Sequence, residues 1–409
     1  MDGMRRTSGG RRSGWSRRLA FGRARGAVTL AVVAVLAGWP ASVQAQARLS
    51  GALSPDGDDF VITLGPIELP AGATHHQVDQ PEAQEVRVPG GGWLRGYRIE
   101  LVDAAGKRVP QAVLHHLNLI MPDRRDLFAP IMMRIGAAGH ETAPVELPRL
   151  MGFRVHPGEG ILVTAMFSNE DSRQAYHGVR MRVHMPFTAA GTWLPPFSVE
   201  PFYIDVMPPA GTHAYDLPAG KSQRSWDAHP AAAARLLGMG GHLHRYGTLL
   251  RFEDVTAHKM LWEAHPRVAA DGEVTGMPTG RFWWRGGLKV LPSHTYRLTA
   301  FYHNPTGKAI PDGAMGTLGG VLVLSRGGVW PAVNRADPEY RKDVESTYAG
   351  MHMPKMNMGM QPMSMTPAAP APPGAPARAV APAPAATPAP AAVPARHART
   401  RATRTGGND

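Results

Sequence analysis

From about Arg48 to Arg326 the chain runs as short apolar stretches cut by Gly, Pro and Asp turns, with hardly a helical period among them. Stretches this short cannot build a helical bundle, whereas strands joined by turns can bury one face against a second sheet. Val179-Arg180-Met181-Arg182-Val183-His184-Met185 alternates apolar and polar, as a half-buried strand does, and Val321-Leu322-Val323-Leu324 reads as a strand buried on both faces. Ala231 to Leu237 is the one helix-like stretch, and it is short. So many strands over about 280 residues predict an all-β protein, two consecutive antiparallel jelly-roll β-sandwich domains. We place them at residues 48–187 and 188–330. The passage from Pro195-Pro196 to Pro208-Pro209 separates the halves and carries the first strand of the second.

The ends of the chain read differently. Residues 1–47 have an Arg-rich start, an apolar run from Ala27 to Trp39 too short to span a bilayer comfortably, and small residues at Val43-Gln44-Ala45 and Ala45-Gln46-Ala47. That is the pattern of a secretory signal peptide, so a secreted or periplasmic protein is expected, with no transmembrane span in its mature form. Ser16-Arg17-Arg18-Leu19-Ala20-Phe21 loosely resembles a twin-arginine signal, which leaves the Sec and twin-arginine routes both open. Residues 331–365 read as a linker, and residues 366–409 as a disordered Ala/Pro/Arg tail that cannot form a core.

Of the formal net charge of +12, the leader carries +7 and the tail +4, which leaves +1 for residues 48–365. The folded part is therefore nearly neutral, and nucleic acid is excluded as a partner. The basic end from Arg396 is read as a solvated tail, with contact to an acidic envelope surface as the alternative. There is no cysteine, so neither disulfides nor thiolate metal sites exist, but the chain holds 21 Met and 18 His.

Those residue types direct attention to Gly240-Gly241-His242-Leu243-His244. Residues i and i+2 of a strand point to one side, so His242 and His244 reach one ion without a backbone bend, and the glycines leave room. Met315 follows in a Gly-rich, strand-like stretch. Two imidazoles with a distant thioether suit copper, because thioether binds Cu(I) and imidazole holds both oxidation states. The alternatives are a zinc or cupin pair and an ordinary core methionine; the cupin acid is missing, since Thr248 and Leu249 stand at its place and Glu253 comes too late. His303, approaching Met315, is read as supporting the site from behind, with a fourth ligand or a surface residue as the alternatives. In Leu114-His115-His116-Leu117 adjacent strand residues face opposite ways, so a shared ion would require a bulge or two different ring nitrogens. His75-His76 falls in a turn-rich stretch and is expected to be exposed. The run 351–365 holds Met351, Met353, Met356, Met358, Met360, Met363 and Met365 with His352, broken by Pro354, Gly359 and Pro362. It reads as a flexible Cu(I)-capturing segment, or else as low-complexity drift.

In order and separation these pieces resemble the copper type II, ascorbate-dependent monooxygenases, over roughly Leu49 to Leu324. His115-His116 match that family's His-His pair in the first jelly roll, and Gly152-Phe153-Arg154-Val155 matches the lead into the strand of the third ligand, which falls at or near Met166 where the family has His. His242, His244 and Met315 match the oxygen-activating site, and Pro208-Pro209 sits where the family has a similar turn. The resemblance implies two copper ions, one held by His115, His116 and Met166 and the other, catalytic, by His242, His244 and Met315. It also implies ascorbate or another one-electron donor, O2, and a small-molecule substrate hydroxylated at a C–H bond. The family's peptide-binding Arg, Asn and Tyr correspond to Gly240, Thr317 and Gly319, which argues against a peptidylglycine substrate. A non-catalytic copper-handling protein on the same fold is the rival reading.

Overall fold

Alternation along Tyr176–Ala189 becomes a strand with Val179, Met181, Val183, Met185 and Phe187 buried on one face. The computed structural model describes residues 46–211 and 213–349, so the leader, the Met-rich run and the Ala/Pro/Arg tail lie outside the described residues. Within them the protein is all-β, as expected, with strands Arg48–Leu53, Asp59–Leu69, Tyr176–Ala189, Gly92–Leu94, Met151–Val155, Phe197–Asp205, Gly316–Leu324, Ala234–Leu243 and Gly280–Arg281 side by side in one sheet. In the first half this sheet covers a second one ordered Gln84–Arg87, Gly160–Phe167, Leu114–Arg125, Met132–Ala138. In the second half it covers one ordered Gly220–Ala228, Tyr296–Asn304, Gly247–Asp254, Lys259–Ala264. Both halves are β-sandwiches that mix hairpin neighbours with pairings of strands distant in sequence, such as Asp59–Leu69 with Tyr176–Ala189 and Ala234–Leu243 with Gly316–Leu324, as in a jelly roll.

Each sandwich has its own core. Phe60, Ile62 and Leu64 of one sheet meet Leu117, Leu119 and Val163 of the other, and in the second half Phe202, Leu236 and Leu318 meet Leu250, Phe252 and Leu298. A fully buried side chain of this kind contributes about 1.5–3 kcal/mol, and without cysteine these cores carry the stability. The halves are not separate beads. Phe197–Val199 pairs in parallel with Met151–Phe153, which carries one sheet across the boundary, and Leu127 and Phe128 of the first half insert into the second core.

Three local expectations are corrected. Residues 231–237 are not helical: Ala234–Leu243 is a strand paired with Gly316–Leu324, and tertiary pairing overrides the Ala-rich composition. In Val321–Leu324 only Leu322 is buried, because one face of that strand looks away from the core. The linker expected over 331–365 contains a helix, Pro338–Ala349. Asp337 caps it by accepting the Glu339 N–H at 2.9 Å, and Pro338 opens it. Asp337-Pro338-Glu339 is a readable start signal that the surrounding Gly/Pro/Asn residues obscured. The helix seats Tyr340 against Ile120, Met132 and Leu162, and its Asp343 grips Arg134. Among the described residues no helix is long and apolar enough to cross a membrane.

Candidate metal centre

The strand Ala234–Leu243 ends at the edge of the second core, and its last turns of the pleat put His242 and then His244 on one side. They face His116, which stands near the start of Leu114–Arg125 in the first half. The ring centres of His116 lie 5.5 Å from His242 and 5.4 Å from His244, and those two rings are 5.1 Å apart. One nitrogen from each of the three lies within 4.8 Å of the others. Sequence distance hid this grouping: the imidazoles expected at two sites converge at one, because the two sandwiches are sewn edge to edge.

His115 and His116 are neighbours in the chain, and a bulge brings both to this region. The ladder with Gly160–Phe167 pairs Met166 with His116 but Phe167 with Leu114, leaving His115 as the extra residue. A bulge of this kind re-aims one side chain, and the His115 ring ends 4.4 Å from that of His116 and 6.0 Å from that of His244. Met166 stands directly across the ladder from His116, half-buried.

Met315 lies between the strands Ile310–Ala314 and Gly316–Leu324. Leu243 pairs with Gly316, so the next step along both strands sets Met315 beside His244. The buried Tyr302 hydroxyl locks that step: it accepts the backbone N–H of His244 at 3.1 Å and of Met315 at 3.0 Å, and donates to the Met315 carbonyl. Burial pushes its phenol well above the usual range. His303, the next residue, points the other way and is exposed, which corrects its expected supporting role; the inward-facing Tyr302 holds the site instead. Gly240 meets only Thr279 at contact distance, whereas Gly241 has no room for a side chain because Leu250 fills it.

Glu141, unmarked by any motif, orients the centre. Its Oε1 lies 2.5 Å from Nδ1 of His242, which turns Nε2 of that ring inward. Nε2 of His242 and Nε2 of His244 are buried without a hydrogen-bond partner. Burial alone would raise Glu141, but the His242 ring, its own backbone N–H and His140 hold it down at about 2. His140 Nε2 stands 2.8 Å from Glu273 Oε1 as an ion pair, and that carboxylate raises the His140 pKa. Burial holds His116 and His244 well below the ordinary imidazole value and puts His115 at about 4, with the neighbouring rings adding to each shift. These three rings are therefore neutral at neutral pH. His75 is half-buried and stacks on His115 at 5.0 Å and 4°, which corrects its expected exposure; His76 is exposed as expected. Met351, His352, Met353, Met356, Met358, Met360, Met363 and Met365 lie outside the described residues.

No family model matches the chain, and no curated protein matches it. A solved structure of infectious bursal disease virus, Gx strain, is similar at 11% identity over 70% of this chain and 72% of the other, with a TM-score of 0.18.

Proposed function

We propose that this is an exported copper protein whose centre at His116, His242 and His244 uses O2 to hydroxylate a C–H bond of a small-molecule substrate, with ascorbate or another one-electron donor. The observation that carries the reading is the pair of buried, unpartnered ring nitrogens on His242 and His244. A buried polar atom left without a partner costs about 1–3 kcal/mol, and an ion that accepts both lone pairs removes that cost. Three imidazoles alone would suit zinc as well as copper. The thioether residues Met166 and Met315, on backbone positions beside His116 and His244, favour copper.

Bound copper would supply one-electron redox chemistry and oxygen activation. The chain supplies the rest: Glu141 fixes the His242 tautomer, Tyr302 fixes the backbones of His244 and Met315, and burial disfavours protonation of His116 and His244. Hydroxylation inserts one oxygen atom into the C–H bond and releases the other as water, consuming two electrons from the donor and two protons. The rival reading, copper handling without turnover, is favoured by Met166, which stands across the ladder from His116 and would add a thioether that prefers Cu(I).

Metal stoichiometry with oxidation-state spectroscopy on wild type and His242→Ala tests both. Copper that cycles between ascorbate and O2, with donor-dependent O2 uptake on a hydroxylatable substrate, supports the enzyme; tight Cu(I) that resists oxidation supports the carrier. Zinc in preference to copper, or no metal bound by wild type, rejects the proposal.

A further inference from the structure

We propose that His76, His75 and His115 form a loading route that passes copper from the surface to the centre at His116, His242 and His244. The inference rests on the metal-binding reading above and adds a function for histidines which that reading leaves unused.

Five imidazoles form an unbroken file from the exposed His76 to the half-buried centre. The exposed His76 ring lies 3.9 Å from that of His75, His75 lies 5.0 Å from His115, His115 lies 4.4 Å from His116, and His116 lies 5.4 Å from His244. Each step is short enough for an ion to bind the next ring before leaving the last, so it need never be stripped of nitrogen ligands on the way in. Such stepwise ligand exchange lets an ion reach a half-buried centre without shedding its ligands all at once, and the full desolvation of a bare ion costs several kcal/mol. The rings of His75 and His115 hold no hydrogen bond to any described residue, so their nitrogens are not committed to the fold. Asp312, from the second half, acts electrostatically on His75 and so favours a cation there.

The turn that carries the outer pair is held in place. Gln80 donates to the carbonyls of His75 at 2.7 Å and Phe167 at 2.8 Å, and accepts the Phe167 N–H at 2.8 Å. The Thr74 backbone N–H bonds the Gln77 side chain at 2.9 Å, and Ala73 bridges to Asn169. The turn is thus tied to the strand bearing Met166, next to His116. The bulge at His115 is what joins the outer pair to the inner three: without it, His115 and His116 would point to opposite faces.

The test is stopped-flow mixing of the metal-free full chain with Cu2+ in wild type and in His75→Ala/His76→Ala, followed by measurement of copper bound per chain at equilibrium. The double variant should load more slowly by on the order of tenfold while reaching the same final stoichiometry. His75→Gln/His76→Gln, which keeps polar side chains in the turn, should show the same delay. Equal loading rates overturn the route and leave the centre standing. A lower final stoichiometry also overturns it, by making these residues permanent ligands. Wild type that takes up no copper removes the route and the proposed function together.

Discussion

The Arg134–Asp343 cluster and the His116–His242–His244 cluster both gather polar side chains away from water, yet only the first closes its hydrogen bonds. Asp343, fully buried, accepts Arg134 Nη2 at 2.5 Å, Arg134 Nη1 at 2.7 Å and the Met132 N–H at 2.9 Å, and Arg134 also donates to the Met132 carbonyl at 2.7 Å. Asp126 close by accepts the N–H groups of Phe128 and Tyr203 at 2.8 and 2.9 Å. Every carboxylate oxygen there has a partner, and the bonds of Asp343 fasten the helix Pro338–Ala349 to the first sandwich. In the histidine cluster Nε2 of His242, Nε2 of His244 and Oε2 of Glu141 are buried with none. A satisfied buried network holds a fold together; an unsatisfied one stores a demand for a ligand.

The largest expected effect breaks the satisfied cluster. Asp343→Ala strands the buried Arg134 guanidinium and should cost about 3–5 kcal/mol in denaturant unfolding. Next comes the ligand term in the unsatisfied cluster: copper at a hundredfold excess over its Kd should stabilise wild type by about 2.7 kcal/mol and leave His244→Ala unchanged. If the metal-free His244→Ala protein lost as much stability as Asp343→Ala, the contrast between the clusters would fall. Glu141→Gln keeps the shape but removes the charge that orients His242, and copper affinity measured by competition should drop about 10–100-fold.

The smallest effect is the pH dependence of the metal-free protein, where the clusters act in opposite directions. Burial holds His115 near 4 in the folded state, below its unfolded value, so between those limits the unfolded chain binds more protons and stability rises with pH. Burial also pushes Asp126 up to about 7, partly offset by the Phe128 N–H and Arg134, so the folded chain binds more protons and stability falls as pH rises from about 4 to 7. His115→Gln should therefore flatten the rise of stability with pH, and Asp126→Asn should steepen it. Unfolding curves collected from pH 4 to 7 check both signs.

The clusters also differ in how far they could be read beforehand. His242 and His244 were legible because i and i+2 share a face in any strand, and the need for a bulge at His115-His116 followed from the same rule. That the bulge exists, and falls on His115, is a property of the ladder with Gly160–Phe167. Glu141 sits in a loop, Gly139-His140-Glu141-Thr142, with no period to mark it. Its importance comes from a ring 101 residues away. Asp343 was hidden for the same reason, its partner Arg134 being 209 residues distant.

Alternation, turn residues and the absence of cysteine were enough to make this chain a pair of β-sandwiches that must live on their cores, since these depend on neighbours within a few residues. Tertiary structure alone decided that one sheet crosses both halves and that His116 meets His242 and His244 at a single centre rather than at two. Pairing between Met151–Phe153 and Phe197–Val199 sets where the sandwiches touch. No local pattern encodes that contact, because it is selected by the packing of whole faces.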